Sequence, residues 1–246
     1  MYRMVFVRSK SSCFLMAKAA ISGDEVVRRL EHNYPDIKTP LAHAAAFQLL
    51  VATILSAQCT DAQVNLVTPR LFREFPDAES MARVGQKNLE RIIRSTGFYH
   101  VKARRIREVA RKIVSTFGGK VPSSMEDLIT LPGVGRKTAN IVLSAGYDKI
   151  EGIAVDTHVA RLSKRIGLSE EKTPEKIELD LMKITRKELW PRLSMLLIFH
   201  GRSICNARKP LCEKCMLSDK CIYYSARPKL DKKPISVQIV SRKQNT

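Results

Sequence analysis

Ten consecutive residues, Leu131-Pro-Gly-Val-Gly-Arg-Lys-Thr-Ala-Asn140, constrain the fold more than any other stretch of this chain. Pro132 has no amide proton and disfavours helical geometry in the residue before it, so a helix arriving from upstream ends there. Gly133 and Gly135 permit positive φ and leave no side chain over the turn. The run from Arg136 to Ala145 then reads as a second helix. Outward amides of the two glycines and of that helix's first turn, helped by the helix dipole, suit a phosphate oxygen. An ordinary glycine-containing helix connection fits the turn equally well.

The rest of the chain reads as helix after helix. Leu41 to Ala57 is dense in Ala and Leu and predicts a buried helix. Thr60 with Gln63 forms a capping box for the next one, which ends near Phe75-Pro76. Asp77 or Ser80 starts a short helix, and Asn88 to Ser95 predicts another, stopped by Gly97. Val101 to Phe117 is amphipathic. Ile106, Val109, Ile113 and Val114 share one side, and Lys102, Arg104, Arg105, Arg107, Arg111 and Lys112 are assigned to the other. Ser123 with Glu126 predicts a second capping box, and Asp156 caps a helix running to Ile166 with Gly167 as its stop. Pro174 to Arg186 and Trp190 to Gly201 complete the series. With no alternating strands and no repeat of solenoid type, the fold class is all-α.

Charge narrows the partner. The chain has 246 residues, with 43 Lys and Arg against 24 Asp and Glu, a formal net charge of +19. That excess points to a polyanion, nucleic acid ahead of an anionic membrane surface. At 44% hydrophobic residues the chain can build a real core. It contains no run of about 18 apolar residues, so no transmembrane helix is expected. Residues 1–20 carry Arg3, Arg8, Lys10 and Lys18 without an acid, which predicts a loose basic extension; the polar, basic tail from Arg227 is expected to be mobile.

Two single residues and one cluster carry possible chemistry. Lys137 falls in the first turn of the second helix of the pair, where the helix dipole disfavours a cation; a neutral amine there is a nucleophile, although a phosphate-contacting lysine is the plainer alternative. Asp156, in Val155-Asp-Thr-His-Val159, is an N-cap or a carboxylate facing developing positive charge, and the two roles are compatible. Cys205, Cys212, Cys215 and Cys221 fall within seventeen residues. Four thiolates in one loop suit either zinc or an iron–sulfur cluster, and their softness alone does not choose.

Taken together, Leu131 to Ala145 and Ile153 to Arg161 (IAVDTHVAR) closely resemble the helix-hairpin-helix superfamily of DNA glycosylases, and within it the endonuclease III subgroup. Leu55-Ser-Ala-Gln-Cys-Thr-Asp61, Gly97-Phe-Tyr-His-Val-Lys-Ala103 and His200-Gly-Arg202 extend the resemblance over residues 24 to 225. It implies two helical domains flanking a DNA-binding cleft. One spans 39–149, with six helices and the hairpin; the other is discontinuous, 21–38 with 150–226, and carries the cysteine loop.

The resemblance also implies roles. Lys137 corresponds to the nucleophile that attacks C1′ of a damaged nucleotide, and Asp156 to its partner. Gly133, Val134, Gly135 and Arg136 match a phosphate-gripping hairpin. Gln58 matches a residue that fills the space left by an extruded base, and Phe98 lies in a loop that supplies a wedge, with a core aromatic as the plain alternative. The four cysteines match a [4Fe–4S] loop of structural role. The implied activity is excision of oxidised pyrimidines from double-stranded DNA followed by β-elimination at the abasic site. A monomer is expected, with no membrane partner and, in a prokaryote, a cytoplasmic location. A thymine, uracil or adenine mismatch glycosylase, or a non-catalytic DNA-binding module with structural zinc, stays open at this point.

Overall fold

A computed structural model describes residues 21–35, 37 and 41–227. The extension expected over residues 1–20 and the tail beyond Arg227 lie outside the described residues. Twelve α-helices and four short 3₁₀ turns occur among the described residues, and no strand, so the chain is all-α. The helices are α1 Gly23–Asn33, α2 Ala46–Leu55, α3 Asp61–Glu74, α4 Ala78–Arg83, α5 Gln86–Ile93, α6 Tyr99–Phe117, α7 Met125–Leu128, α8 Arg136–Tyr147, α9 Thr157–Ile166, α10 Pro174–Lys183, α11 Trp190–Ser203 and α12 Ile222–Ser225.

Their ends show which signals the sequence carried. Asp77 caps α4 and exchanges hydrogen bonds with Ser80, a full capping box. Thr60 caps α3, but the Gln63 side chain turns to Ser95 (2.8 Å), so only half of that box forms. Downstream, Ser124 and not Ser123 caps α7; Ser123 instead accepts from the Lys149 ammonium through its carbonyl and hydroxyl. The buried helix α2 starts at Ala46, later than Leu41, because side chains capture the amides that would begin it. Asn65 Oδ1 accepts from Ala42 N (3.0 Å) and Gln48 Oε1 from Ala44 N (2.9 Å).

Apolar side chains gather into two cores. The first draws on α2 to α8, with Leu50, Leu55, Leu71, Ile106, Ile113 and Leu143 among its members. The second joins α1 to α9, α10 and α11, through Val26, Leu30, Val159, Leu162, Leu193 and Leu197. Ion pairs fasten α1 to the C-terminal part of the chain. Arg29 meets Asp219 and Arg186 meets Asp24, each at 2.6 Å. Arg192 of α11 binds Glu31 (2.7 Å) and the carbonyls of Tyr34 and Ile37. The two ends of the chain therefore build one core, and the middle builds the other.

Candidate active site and cysteine loop

The α7–α8 connection is the predicted hairpin, with one change. Gly133 has φ +73, which only glycine adopts without strain. Gly135 is extended, at φ −96 and ψ 175, so any residue could hold its backbone. Val134 is buried and its amide donates to the Leu131 carbonyl at 3.0 Å, which closes the turn. The Gly133 and Gly135 amides have no acceptor among the described residues. The Arg105 side chain lies across the hairpin, so close that a Cβ on Gly133 would come within 2.3 Å of its Nε.

Arg136 turns away from the hairpin. Its Nε and Nη2 bind the two oxygens of Glu178, at 2.9 and 3.3 Å, and Asn140 Nδ2 donates to the same carboxylate at 2.8 Å. Glu178 lies on α10 and is buried, so this cluster ties α8, from the first core, to the second. Gly152 packs against it; a Cβ there would sit 2.0 Å from Glu178 Oε1. A second tie crosses between the cores where Arg202 of α11 meets Asp61 of α3 at 2.6 Å.

Between the cores lies a cleft of about 850 Å³. Lys137, exposed in the first turn of α8, lines it together with Asp156, Gln58, Cys59 and His158. Asp156 caps α9, and its Oδ1 accepts from the amides of His158 (2.8 Å) and Val159 (2.9 Å). Its Oδ2 has no protein donor among the described residues. A lysine from one helix start and a carboxylate from another thus face a common space, each fixed by the helix it opens. Burial holds the His158 imidazole below its ordinary value, against the pull of Asp156, and its Nδ1 lies 3.1 Å from Arg161 Nη2.

Gln58 and Phe98 share an unusual backbone. Among the described residues only Gln58 (φ 52), Phe98 (φ 48) and Asp148 (φ 54) are non-glycine residues with positive φ. Left-handed geometry in such residues is costly and concentrates at functional positions. Phe98 is 65% exposed, so its side chain is not part of either core. Lys102, assigned from sequence to the basic face of α6, is instead buried, its ammonium bound to the carbonyls of Leu55 (2.8 Å) and Thr96 (2.7 Å). Helical spacing gives the reason: position 102 falls on the stripe of Ile106, Val109 and Ile113.

All four cysteines line a second cavity, enclosed by Leu162, Ile166, Leu217 and Tyr224 among others. Burial pushes the Cys212 and Cys221 thiols up and that of Cys215 to about 12. Holding thiolates there requires a positively charged centre. Hydrogen bonds already surround the sulfurs. Arg165 Nη1 donates to Cys205 Sγ (3.4 Å) and to the Asn206 carbonyl (2.7 Å). His200 Nε2 lies 3.2 Å from Cys215 Sγ, and its Nδ1 meets the Tyr34 hydroxyl. Burial lowers His200 to about 4, so the ring is neutral, one nitrogen facing the Cys215 sulfur and the other the Tyr34 hydroxyl. Among the described residues no group of three or more His, Cys, Asp or Glu side chains is disposed to hold a single metal ion. Four thiols around a cavity, rather than around a point, fit a polynuclear cluster better than one zinc ion.

Sequence reasoning missed Lys102, Glu178, Arg161 and Arg165. Lys102 and Arg161 lie inside the quoted motifs Gly97–Ala103 and Ile153–Arg161 but were given no role there, and Glu178 and Arg165 lie in stretches with no motif of their own. Only Lys102 carried a readable signal, its place on an apolar stripe.

Comparison with known proteins places this all-α fold in a class of DNA-repair proteins. Residues 51–187 match the model of the HhH-GPD superfamily of base excision DNA repair proteins. Endonuclease III of Synechocystis sp. is 48% identical over 206 residues, covering 84% of this chain and 94% of that protein. Two solved structures, a non-covalent endonuclease III–DNA complex and a trapped endonuclease III–DNA covalent intermediate, each match at a TM-score of 0.77 and 41% identity. Each covers 81% of this chain, and 94% and 93% of the respective solved chains. The chain belongs to the endonuclease III family of DNA glycosylase/AP lyases, within the HhH-GPD superfamily.

Proposed function

We propose that this enzyme excises oxidised pyrimidines from double-stranded DNA with Lys137 as nucleophile and Asp156 as its partner. The observation that carries this assignment is the shared cleft: Lys137 opens α8, Asp156 caps α9, and both side chains line the same space between the cores. The hairpin binds a phosphate through the free amides of Gly133 and Gly135, and exposed Lys and Arg add salt-sensitive affinity. Val134 closes the turn. Arg136 contributes its backbone amide, because Glu178 holds its guanidinium.

The damaged nucleotide leaves the base stack at a cost of a few kcal/mol, least where pairing is already weak. Gln58 and Phe98 enter the gap. Lys137 Nζ, as the free amine, attacks C1′; the C1′–N bond breaks and the base departs with a proton. The sugar opens to an imine, C2′ loses a proton, and the C3′–O bond breaks, leaving the strand cut on the 3′ side of the abasic site. Asp156 stabilises the cationic sugar and takes up and returns protons through its free Oδ2.

Cys205, Cys212, Cys215 and Cys221 would hold a [4Fe–4S] cluster that organises their loop for DNA contact and takes no part in these steps. His200 and Arg165 orient the sulfurs by hydrogen bonding. Support comes from the arrangement of four thiols around one cavity, Cys212 and Cys221 buried and Cys205 and Cys215 partly so. The division into a unit of residues 39–149 and a discontinuous unit of 21–38 with 150–226 belongs to the same proposal and rests on the two cores. The enzyme acts as a monomer. No helix among the described residues is long and apolar enough to cross a membrane, and a cytoplasmic location suits a DNA partner.

Borohydride trapping on a duplex with one oxidised thymine tests the assignment. Wild type gives a covalent adduct and Lys137→Ala gives none, with strand cleavage lowered by at least about a thousandfold. An undiminished adduct from Lys137→Ala would overturn it.

A further inference from the structure

Lys102 stands out on α6. The helix is otherwise buried along Ala103, Ile106, Val109, Ala110 and Ile113, and a lysine is rarely fully buried unless it is paired. This one has no carboxylate partner among the described residues. Its ammonium instead donates to two backbone carbonyls, Leu55 O at 2.8 Å and Thr96 O at 2.7 Å. Burial lowers its affinity for the proton, with Cys59 opposing.

The two acceptors are not arbitrary. Leu55 ends α2 and leads into the loop that carries Gln58; Thr96 ends a 3₁₀ turn and leads through Gly97 to Phe98. The Lys102 amide also holds the strained turn, donating to the Phe98 carbonyl at 3.0 Å. One residue therefore touches the backbone on both sides of Phe98 and the root of the Gln58 loop. Outside it, Gln63 Nε2 makes a second, exposed tie to Ser95 Oγ at 2.8 Å. Two of the three left-handed non-glycine residues among the described residues thus sit on loops joined by a single buried ammonium. Such backbone persists only where its surroundings over-determine it. A methionine of the same length would fill the space and hold neither carbonyl, so a packing role alone gives no reason for the charge.

We propose that Lys102 is a positioning residue that staples the Gln58 loop to the Phe98 loop and so sets the geometry with which both side chains enter the duplex. The proposal rests on the assignment of Gln58 and Phe98 as the intruding residues. The staple acts before the chemistry, on extrusion of the damaged nucleotide, and leaves Lys137 and Asp156 untouched. Its loss therefore matters most where a stacked base must be displaced, and least where the base is already gone.

The test compares Lys102→Met with wild type in two backgrounds, native and the double variant Gln58→Ala with Phe98→Ala. Single-turnover excision is measured on a duplex with one oxidised thymine, and strand cleavage on the same duplex with a preformed abasic site. In the native background Lys102→Met lowers excision about tenfold, the scale of one charge-assisted hydrogen bond, and abasic cleavage less than about twofold. In the double-variant background its further effect on excision falls below about twofold. Equal losses on both substrates, or the same tenfold loss in both backgrounds, would overturn the staple and return Lys102 to general stability. If the double variant itself excises at the wild-type rate, the assignment of Gln58 and Phe98 fails, and the staple with it; that outcome is distinct because it is read without any change at Lys102. Where Lys102→Met does not reach wild-type helical ellipticity, Lys102→Leu, which also holds neither carbonyl, is put through the same comparison and judged by the same outcomes.

Discussion

The two halves of this molecule achieve order by different means. The half built on α2 to α8 stores its functional geometry in the backbone: a positive-φ glycine in the hairpin, two strained side-chain-bearing residues at Gln58 and Phe98, and amides left free at Gly133 and Gly135. The half built on α1, α9, α10 and α11 relies on side chains that reach for carbonyls and sulfurs. Arg161 binds the Gly201 and Cys205 carbonyls, Arg165 those of Asn206 and Ala207, and Arg192 those of Tyr34 and Ile37. Strain suits the intruding role proposed for Gln58 and Phe98, because a side chain held outward cannot relax into a core. Arginine-to-carbonyl bonding suits a loop around four cysteines, which has almost no regular secondary structure to satisfy its own backbone. The proposed reactive groups, Lys137 and Asp156, come from different halves, so the cleft is only as well ordered as the ties that cross it.

That contrast can be broken first at Asp156, the reactive group proposed for the second half. Asn caps a helix about as well as Asp. Asp156→Asn is therefore expected to hold the thermal midpoint while lowering single-turnover excision about a hundredfold. A fall in stability with excision preserved would make Asp156 a cap and nothing more. The next effect lies in the tie between halves. Glu178→Gln weakens the bidentate bond to Arg136, whose side chain is 42% exposed, and disturbs Asn140. The expected loss is about 2 kcal/mol in denaturant unfolding, reduced from a fully buried pair by that exposure. A change under about 0.5 kcal/mol would mean that the cores are joined elsewhere.

Phe98→Gly separates strain from function in the first half. Relief of the left-handed backbone exceeds the entropy lost with glycine, so stability rises by about 0.5–1 kcal/mol while lesion capture falls about tenfold. A destabilised variant would show that Phe98 packs and is not strained. The smallest effect is the pH response of His158. Its folded value lies below its ordinary value near 6.5, so the unfolded chain binds a proton that the folded chain refuses. Stability is full above about pH 6.5 and declines as pH falls toward the folded value, and His158→Asn flattens part of that slope. An unchanged slope would place the effect on other groups.

Much of the fold was legible because helix ends are written locally. Asp77, Asp156, Gly118 and Gly167 each did what their chemistry dictates at a helix terminus. Failures came where a distant side chain intervened. Asn65 and Gln48 capture amides that Leu41 to Ala45 would otherwise give to a helix, and Ser95 draws Gln63 away from its cap. The six basic residues assigned to the outer face of α6 divide for the same reason: Lys102 found two carbonyl acceptors inside.

By itself the sequence determined the all-α class, the hairpin at Pro132-Gly133, the helix that Asp156 caps and the clustering of four cysteines. Each depends on interactions within a few residues, and those are fixed once the order of residues is fixed. Only the tertiary structure decided that Arg136 faces Glu178, that Lys102 fastens two loops, and that Lys137 and Asp156 line one cleft. Apart from Lys102 with Thr96, six positions away, these pairings join residues 19 to 47 positions apart, and no local pattern encodes which buried charge meets which partner. The physical reason is that a buried ammonium or carboxylate accepts any geometrically available counterpart, and availability is set by how whole helices pack.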